Sequence, residues 1–287
     1  MQLQYEKLLA RPPSTVTHTY TERDTILYAL ALGAARPDPA APEALRFTYE
    51  KQLRALPTMA VVLGTGPAWM TDPQWGIDYT RLVHGEQMLT VHRPLPSSGT
   101  IVATESIAEI YDKGAGKGAL MYLSRRLHGT QGELLAEVRS AAFLRGNGGF
   151  GGKATGAPTP QAVPVQRQPD AAIDMSIAPD QASLYRLCGD PNPLHIDPGM
   201  ARAAGFDRPI LHGLCTYGIA GRALIALFCE HDEQRVKRLD ARFSKPVFPG
   251  ESLRTEAWRL DAHSAAFRCT VPARGVVVID NGRFDFN

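Results

Sequence analysis

Long apolar runs are missing from this 287-residue sequence. A membrane-spanning helix needs about 18 or more consecutive apolar residues, and no run approaches that length. The first residues, MQLQYEKLLARPP, have neither the basic nor the apolar segment of a secretion signal. The last residues, Asp285 to Asn287, do not form a peroxisomal address of the SKL type. We therefore expect a cytoplasmic protein with no membrane segment.

Cysteine is also scarce. The four cysteines form no CxxC pair and show no His/Cys spacing of the kind found in zinc sites. The pattern does not indicate a disulfide framework, and reduced thiols are the ordinary state of cytosolic cysteines. We accordingly expect neither disulfides nor a bound metal.

A marked excess of one charge is absent as well. Lys and Arg number 31 against 29 Asp and Glu, which gives a formal charge of +2. Runs of basic residues interleaved with aromatic residues, typical of nucleic-acid-binding proteins, do not occur. We therefore expect no nucleic-acid partner, although a slightly positive surface suits a ligand that carries phosphates.

Gly, Pro and small residues dominate positions 146–169, GNGGFGGKATGAPTPQAVPVQRQP. Such a composition sustains neither helix nor strand. A phosphate-binding loop is the alternative, but the GxxxxGK[ST] pattern and a following helix are missing. We predict an N-terminal unit at residues 1–150, a linker at 151–169 and a C-terminal unit at 170–287.

The two units look like tandem repeats. Residues 21–33, TERDTILYALALG, parallel residues 176–189, SIAPDQASLYRLCG; VHGE at 83–86 parallels LHGL at 211–214, and PLPSSG at 94–99 parallels PVFPG at 246–250. Alternating, strand-like runs follow at 100–111, 119–127 and 134–144, and again at 252–260, 265–271 and 276–284. Apolar residues at helical spacing predict a helix at 212–231. We expect an α+β fold in which each repeat wraps a curved antiparallel sheet around a long central helix.

One segment carries proton-transfer chemistry. In YRLCGDPNPLHIDPGMARAAGFDRPILHGL, residues 185–214, Asp190 and His195 lie five positions apart among several prolines. Proline removes an amide donor and restricts the preceding residue, so the segment must be a shaped loop. A carboxylate and an imidazole held together can orient and deprotonate water. Taken singly, Asp190 could instead form an Asx turn and His195 could be a buried structural histidine.

The segment closely resembles the hydratase 2 motif of the MaoC-like (R)-specific enoyl-CoA hydratases, and shorter matching pieces, HGEQ, YDKG and ARFSKPVFPG, extend the resemblance over nearly the whole chain. The chain is most similar to the two-repeat form found in peroxisomal multifunctional proteins. The resemblance implies a double hot-dog fold with one active site per chain, in which the degenerate first repeat leaves room for the acyl chain and helps to hold the coenzyme. It also implies hydration of trans-2-enoyl-CoA to (3R)-hydroxyacyl-CoA, with coenzyme A as part of the substrate, no further cofactor, and a homodimer.

The catalytic residues expected are Asp190, His195 and Gly213. Gly213 follows His212 at the predicted helix start, where a free N–H suits the oxyanion of an enolate. Asn192 either contacts the substrate or shapes the loop. His212 is expected to pack rather than react.

The coenzyme is assigned to four positions by the resemblance. His84 and Gly85 are expected to begin the central helix of the first repeat and to help hold the coenzyme. Lys113, in a hairpin turn, is expected to bind a phosphate, and Phe243 is expected to lie against the ligand. A solvated lysine and a core phenylalanine are the structural alternatives.

Two other functions fit the same resemblance. A hot-dog thioesterase would direct the water at the thioester carbonyl, and the sequence has no GxSxG nucleophile. A non-catalytic acyl-CoA-binding protein would need no paired proton-transfer groups.

Overall fold

A single antiparallel sheet of ten strands runs through both repeats in the computed structural model, which describes residues 2–66 and 69–287. The strands are β1 (Ser14–Tyr20), β2 (Leu82–Val91), β3 (Gly99–Asp112), β4 (Ala119–Gly129), β5 (Leu134–Leu144), β6 (Ala171–Ser176), β7 (Val236–Phe243), β8 (Ser252–Asp261), β9 (Ser264–Val271) and β10 (Val276–Phe286). Their order across the sheet is β1-β3-β4-β5-β2-β7-β10-β9-β8-β6.

The helices are mostly short. They are α1 (Tyr5–Leu9), α2 (Glu22–Ala31), α3 (Pro42–Thr48), α4 (Gln181–Tyr185), α5 (Pro198–Ala203) and α6 (Gly213–Phe228). Single 3₁₀ turns lie at Glu50–Gln52, Pro57–Val61, Trp69–Thr71, Pro73–Trp75, Tyr79–Arg81, Arg186–Cys188, Pro193–His195, Glu233–Arg235 and Pro272–Arg274. None of the helices in the described residues is long and apolar enough to span a bilayer.

The strand order is symmetric about its centre. Each repeat contributes five strands, and β1-β3-β4-β5-β2 is mirrored by β6-β8-β9-β10-β7. The predicted duplication is therefore confirmed, and all six predicted strand runs match strands within one or two residues. The two repeats meet where β2 pairs with β7, in the register Glu86↔Arg242 to Thr90↔Arg238.

The junction of the repeats is apolar on its inner face. Leu89 and Leu239 are paired partners across β2 and β7, and both are fully buried. Helix α6 packs over this region and also contacts β6, β8 and β10. The sheet thus wraps around α6 and encloses one continuous core.

The expected long central helix of the first repeat is wrong. The longest helix there among the described residues is α2, with ten residues, and the 3₁₀ turn Pro57–Val61 lies beside α6 instead. Packing is close, since a Cβ on Gly221 would lie 2.8 Å from Thr58 Cγ2. Pro57 at its start and Gly64 shortly after it, at a φ of 64°, limit this segment to a short turn.

The proposed parallel between VHGE and LHGL is also wrong, because the two segments form different secondary structures. His84 and Gly85 lie within β2, whereas His212 and Gly213 begin α6. The strand order makes β7 the counterpart of β2. Tertiary contacts decide whether such a segment forms a strand or a helix, and a short sequence match does not reveal those contacts.

Residues 151–169 contain neither helix nor strand. Their start is held in place because the Asp112 carboxylate accepts hydrogen bonds from the Gly149 and Gly151 amides, at 2.8 Å each. The unit boundaries at 150 and 170 stay a prediction.

Leu89→Ala should lower the free energy of unfolding by about 2–5 kcal/mol, because it leaves a cavity at the junction of the repeats. Chemical denaturation followed by circular dichroism measures the change. Leu260→Ala, in which an exposed leucine of β8 is truncated, is the matched control and should change stability by less than about 0.5 kcal/mol. Equal losses in the two variants would contradict a core at this junction.

Candidate active site

The proline-rich loop begins where the 3₁₀ turn Arg186–Cys188 ends on Gly189. Gly189 adopts a φ of 117°, which side chains disfavour, and so reverses the chain. The Asp190 carboxylate then accepts a hydrogen bond from the Asn192 amide at 3.3 Å, and the Asn192 side chain accepts one from the Leu194 amide at 3.0 Å. Two successive Asx turns therefore shape the loop and bring the chain to His195.

Asn192 was expected either to contact the substrate or to shape the loop, and the structure shows that it shapes the loop. Its side-chain oxygen caps the 3₁₀ turn Pro193–His195, and the residue is exposed. The amide nitrogen of the side chain is not used in that cap. Contact between this nitrogen and a substrate stays a prediction.

His195 is buried, and one hydrogen bond fixes its tautomer. Its Nδ1 lies 2.9 Å from the carbonyl oxygen of Ile210. A carbonyl oxygen only accepts, so Nδ1 carries the proton and Nε2 presents a lone pair. Burial lowers the pKa of His195 below its usual 6.5. The ring is consequently neutral at pH 7 and suited to accept a proton.

His212 lies directly against His195. The two rings stack with their centroids 3.8 Å apart and their planes inclined by 28°. His212 Nε2 lies 3.1 Å from the Asp190 carbonyl oxygen, and its buried Nδ1 has no hydrogen-bond partner. Burial, with a smaller contribution from His195, lowers the pKa of His212 to about 4. His212 thus packs, as expected, but it also contacts both members of the predicted catalytic pair.

Asp190, His195 and His212 form one cluster. Each offers an oxygen or nitrogen atom, and these three atoms lie within 4.8 Å of one another. The proximity alone would admit a cation, but the two rings are stacked, so their in-plane lone pairs lie in two nearly parallel planes. Two imidazole ligands of one ion need lone pairs that converge. The arrangement suits a water molecule between Asp190 and His195 better than a metal.

The N-terminus of α6 adjoins this cluster. His212 is the residue before the helix and Gly213 is its first residue, so the Gly213 N–H has no partner within the helix. Its position combines an unpaired donor with the positive end of the helix dipole. A Cβ added to Gly213 would lie 3.5 Å from the Phe243 ring, which places Phe243 at the side of this donor.

The first repeat supplies His84 to the same site. Its ring meets Phe243 edge-on with centroids 5.0 Å apart, and its Nε2 lies 3.0 Å from the Glu86 carbonyl oxygen. Burial lowers the pKa of His84 to about 4, while the negative charge of Asp190 acts in the opposite direction. His84 is therefore within electrostatic range of Asp190.

Gly85 has a structural reason to be glycine. Across β2 and β5, His84 pairs with Ala142 and Glu86 with Ala141, so Gly85 is the extra residue of a β-bulge. A Cβ at this position would lie 3.3 Å from the Ala141 carbonyl oxygen. Bulges redirect neighbouring side chains, and this one sets the direction of His84.

Lys113 lies in the β3–β4 turn, away from the cluster. The pairings Asp112↔Ala119, Ala119↔Leu144 and Leu144↔Leu82 put this turn at the same end of the sheet as His84, three strands away. At about 4.8 Å per strand the separation is about 14 Å. Its ammonium lies 5.9 Å from the Tyr111 ring centre and forms no ion pair with the residues that the structure describes.

Comparison with known proteins identifies the class. The MFE-2 hydratase 2 N-terminal domain matches residues 18–146, and the MaoC like domain matches residues 160–281. The chain belongs to the MaoC-like dehydratase family, in its two-repeat hydratase 2 form. Solved structures of this family share the architecture, which confirms the expected α+β double hot-dog fold.

Individual relatives match over nearly their full length. The chain is 43% identical to 3-hydroxyacyl-thioester dehydratase Y of Mycobacterium tuberculosis, with 93% of each chain covered. It is 39% identical to the peroxisomal enoyl-CoA hydratase 2 of Arabidopsis thaliana, with 95% of this chain and 92% of that one covered. The crystal structure of a MaoC-like dehydratase from Phytophthora capsici superposes with a TM-score of 0.86 at 37% identity, over 98% of both chains.

His84→Gln should reduce the acid sensitivity of the fold. In the wild type the folded-state pKa of about 4 lies below the ordinary 6.5, so the unfolded chain binds the proton first. Stability from this group is complete above pH 6.5 and falls by about 3 kcal/mol as the pH drops to 4. Urea unfolding at pH 7 and pH 4 measures the loss, which should be smaller by that amount in the variant. His263→Gln, which replaces an exposed histidine, is the matched control and should leave the loss unchanged. An unchanged loss in His84→Gln would refute the assignment.

Proposed function

We propose that this protein adds water to trans-2-enoyl-CoA and catalyses the reverse dehydration of the 3-hydroxyacyl-CoA product. The observation that carries the proposal is the grouping of a neutral imidazole, a carboxylate and an unpaired helix-start amide around one position. The (3R) configuration of the product is what the hydratase 2 resemblance implies.

The proton path follows from the tautomer of His195. Its Nε2 lone pair accepts a proton from water while the water oxygen bonds to C3 of the substrate. The electron pair of the C2–C3 double bond moves to C2 and is delocalised onto the thioester oxygen. The imidazolium then returns its proton to C2, so that water is added overall and His195 is regenerated.

Asp190 orients the water in this proposal. Its carboxylate is half-buried and, among the residues that the structure describes, accepts only the Asn192 amide at 3.3 Å, which leaves acceptor capacity for a water O–H. Asp190 also favours the imidazolium electrostatically, because its charge raises the pKa of His195 against the effect of burial.

The enolate oxygen is stabilised by the Gly213 N–H. A backbone amide at a helix start is fixed before the reaction, so it can stabilise developing charge without reorganisation. Phe243 lies beside this donor and His84 beside Phe243. We propose that these two rings border the thioester and pantetheine.

The coenzyme phosphates are assigned to Lys113. The span of about 14 Å between its turn and β2 is suited to an extended pantetheine arm. The ammonium is a compact point charge with no carboxylate partner in the described part of the chain, so it is available to a phosphate.

Residence in the cytoplasm and formation of a homodimer belong to the same proposal. The relative from Arabidopsis thaliana has a peroxisomal name, so residence in the peroxisome is the alternative. Light scattering after gel filtration would test the dimer.

Crotonyl-CoA distinguishes hydration from thioester cleavage. Loss of enoyl absorbance with formation of (3R)-hydroxybutyryl-CoA supports the proposal, and release of free thiol would show a thioesterase. Binding with no product would show a non-catalytic protein. The chiral analysis of the product tests the configuration separately.

Asp190→Asn and His195→Gln should each lower kcat/KM for crotonyl-CoA hydration by roughly 10²- to 10⁴-fold, because each removes one group from the proton path. Asn192→Ala, in the same loop, should lose less, since it removes a cap of a 3₁₀ turn. Circular dichroism checks the fold of all three. Wild-type activity in either Asp190→Asn or His195→Gln would contradict the mechanism.

Gly213→Pro isolates the amide donor. Proline is tolerated at the first position of a helix, so the variant should fold but lack the N–H. We expect kcat to fall by about 100-fold, equivalent to about 3 kcal/mol. Gly213→Ala keeps the N–H and places its Cβ at an ordinary distance from Phe243, so it serves as the control. Similar kcat values for the two variants would exclude an oxyanion role for this amide.

A further inference from the structure

The first repeat borders a cleft just after Gly33, the glycine that corresponds to Gly189. Gly33 ends the helical segment of this repeat as Gly189 ends that of the second, and both have positive φ, 75° and 117°. The catalytic loop follows Gly189. The residues after Gly33 line a cavity of about 520 Å³ instead.

This cleft lacks the Asp/His pair of the second repeat. Counted from the glycine, Ala34 stands where the second repeat has Asp190, and Pro39 stands where it has His195. Neither side chain can exchange a proton. The volume, however, is within the range of roughly 300–1,000 Å³ that is typical of small-molecule sites.

The cleft is separate from the catalytic cluster. On its α6 side it is lined by Arg222, Ile225 and Ala226. These residues follow Gly213 by nine to thirteen positions on the same helix, or about 14–20 Å along its axis. A ligand in this cleft would therefore not occupy the position between Asp190 and His195.

Two guanidinium groups, those of Arg36 and Arg222, lie close enough in the cleft for their positive charges to repel, and neither has an acidic partner among the described residues. Burial, together with the neighbouring charge of Arg36, lowers the pKa of Arg222 to about 10. Arg222 donates to the Leu32 carbonyl oxygen at 2.8 Å, and Arg36 donates to the Gln181 side chain. Arg36 Nε is buried and has no acceptor among the residues that the structure describes. Neither arginine forms an ion pair with any residue in the described ranges.

The carboxylates around the cleft do not neutralise this pair. Asp174 is held by Arg254 at 2.7 and 2.8 Å, and Asp38 and Glu43 are exposed at the rim. Arg36 and Arg222 are both half-buried, and a bound anion would offset the cost of partly withdrawing their charge from water. The remaining walls are largely apolar, with Phe47, Leu56, Ile173 and Ile225 among them.

We propose that the cleft is a second, non-catalytic site that binds a fatty carboxylate. The carboxylate lies against Arg36 and Arg222, which offer several N–H donors in a fixed geometry. The alkyl chain lies along the apolar walls. A phosphate without an alkyl chain would satisfy the charges but leave those walls in contact with water.

The probe is dodecanoate, titrated into the full-length protein by calorimetry. We expect one saturable site whose affinity is unchanged when butyryl-CoA, which has no double bond to hydrate, saturates the catalytic site. Arg36→Gln and Arg222→Gln should each weaken binding at least tenfold. Arg126→Gln, which removes an exposed guanidinium of β4, should have no effect.

Three results would overturn the proposal: no saturable binding, displacement of dodecanoate by butyryl-CoA, or wild-type affinity in a folded Arg36→Gln or Arg222→Gln variant. Arg36 makes no backbone hydrogen bond through its side chain that the described structure records, so its variant keeps the test valid if Arg222→Gln fails to fold. Because calorimetry detects binding and not turnover, the outcome is independent of whether crotonyl-CoA is hydrated.

Discussion

The pairing of β2 with β7 is the interaction on which the rest of the molecule depends. Five paired positions, Glu86↔Arg242 to Thr90↔Arg238, join two five-stranded halves into one sheet. The same register puts His84 of the first repeat against Phe243 of the second, beside the start of α6. An isolated second repeat would contain Asp190 and His195, but one side of the site would be open to water. The duplication therefore works as a single catalytic unit.

Within that frame, local hydrogen bonding sets the chemistry of the loop. The Ile210 carbonyl fixes the tautomer of His195, two Asx turns fix the path of the chain, and His212 holds the Asp190 carbonyl. Burial keeps the His195 and His212 rings neutral, since the pKa of each is lowered. A neutral base close to a carboxylate can take a proton at neutral pH. Few residues are required because the backbone supplies most of the contacts.

Features with a local physical cause could be predicted from the sequence. Alternating runs marked six strands, prolines marked the loop, and the apolar spacing after His212 marked α6. Features that depend on distant contacts could not. VHGE resembles LHGL, yet His84 is in a strand because it pairs with Ala142 of β5, and β7 pairs with the same strand from Glu86 onward. Likewise, Arg36 contacts Gln181 across 145 positions of the sequence, and no local pattern predicts this contact.

The two open edges of the sheet are sites at which another chain could add a strand. The outermost strands, β1 and β6, have seven and six residues, and both alternate half-buried with exposed positions. Thr19 bonds to Thr100 at β1, and Asp174 is paired with Arg254 at β6. Short, polar borders are poor templates for strand addition. A wide continuous sheet can thus build the site while its margins disfavour the addition of a strand from another chain.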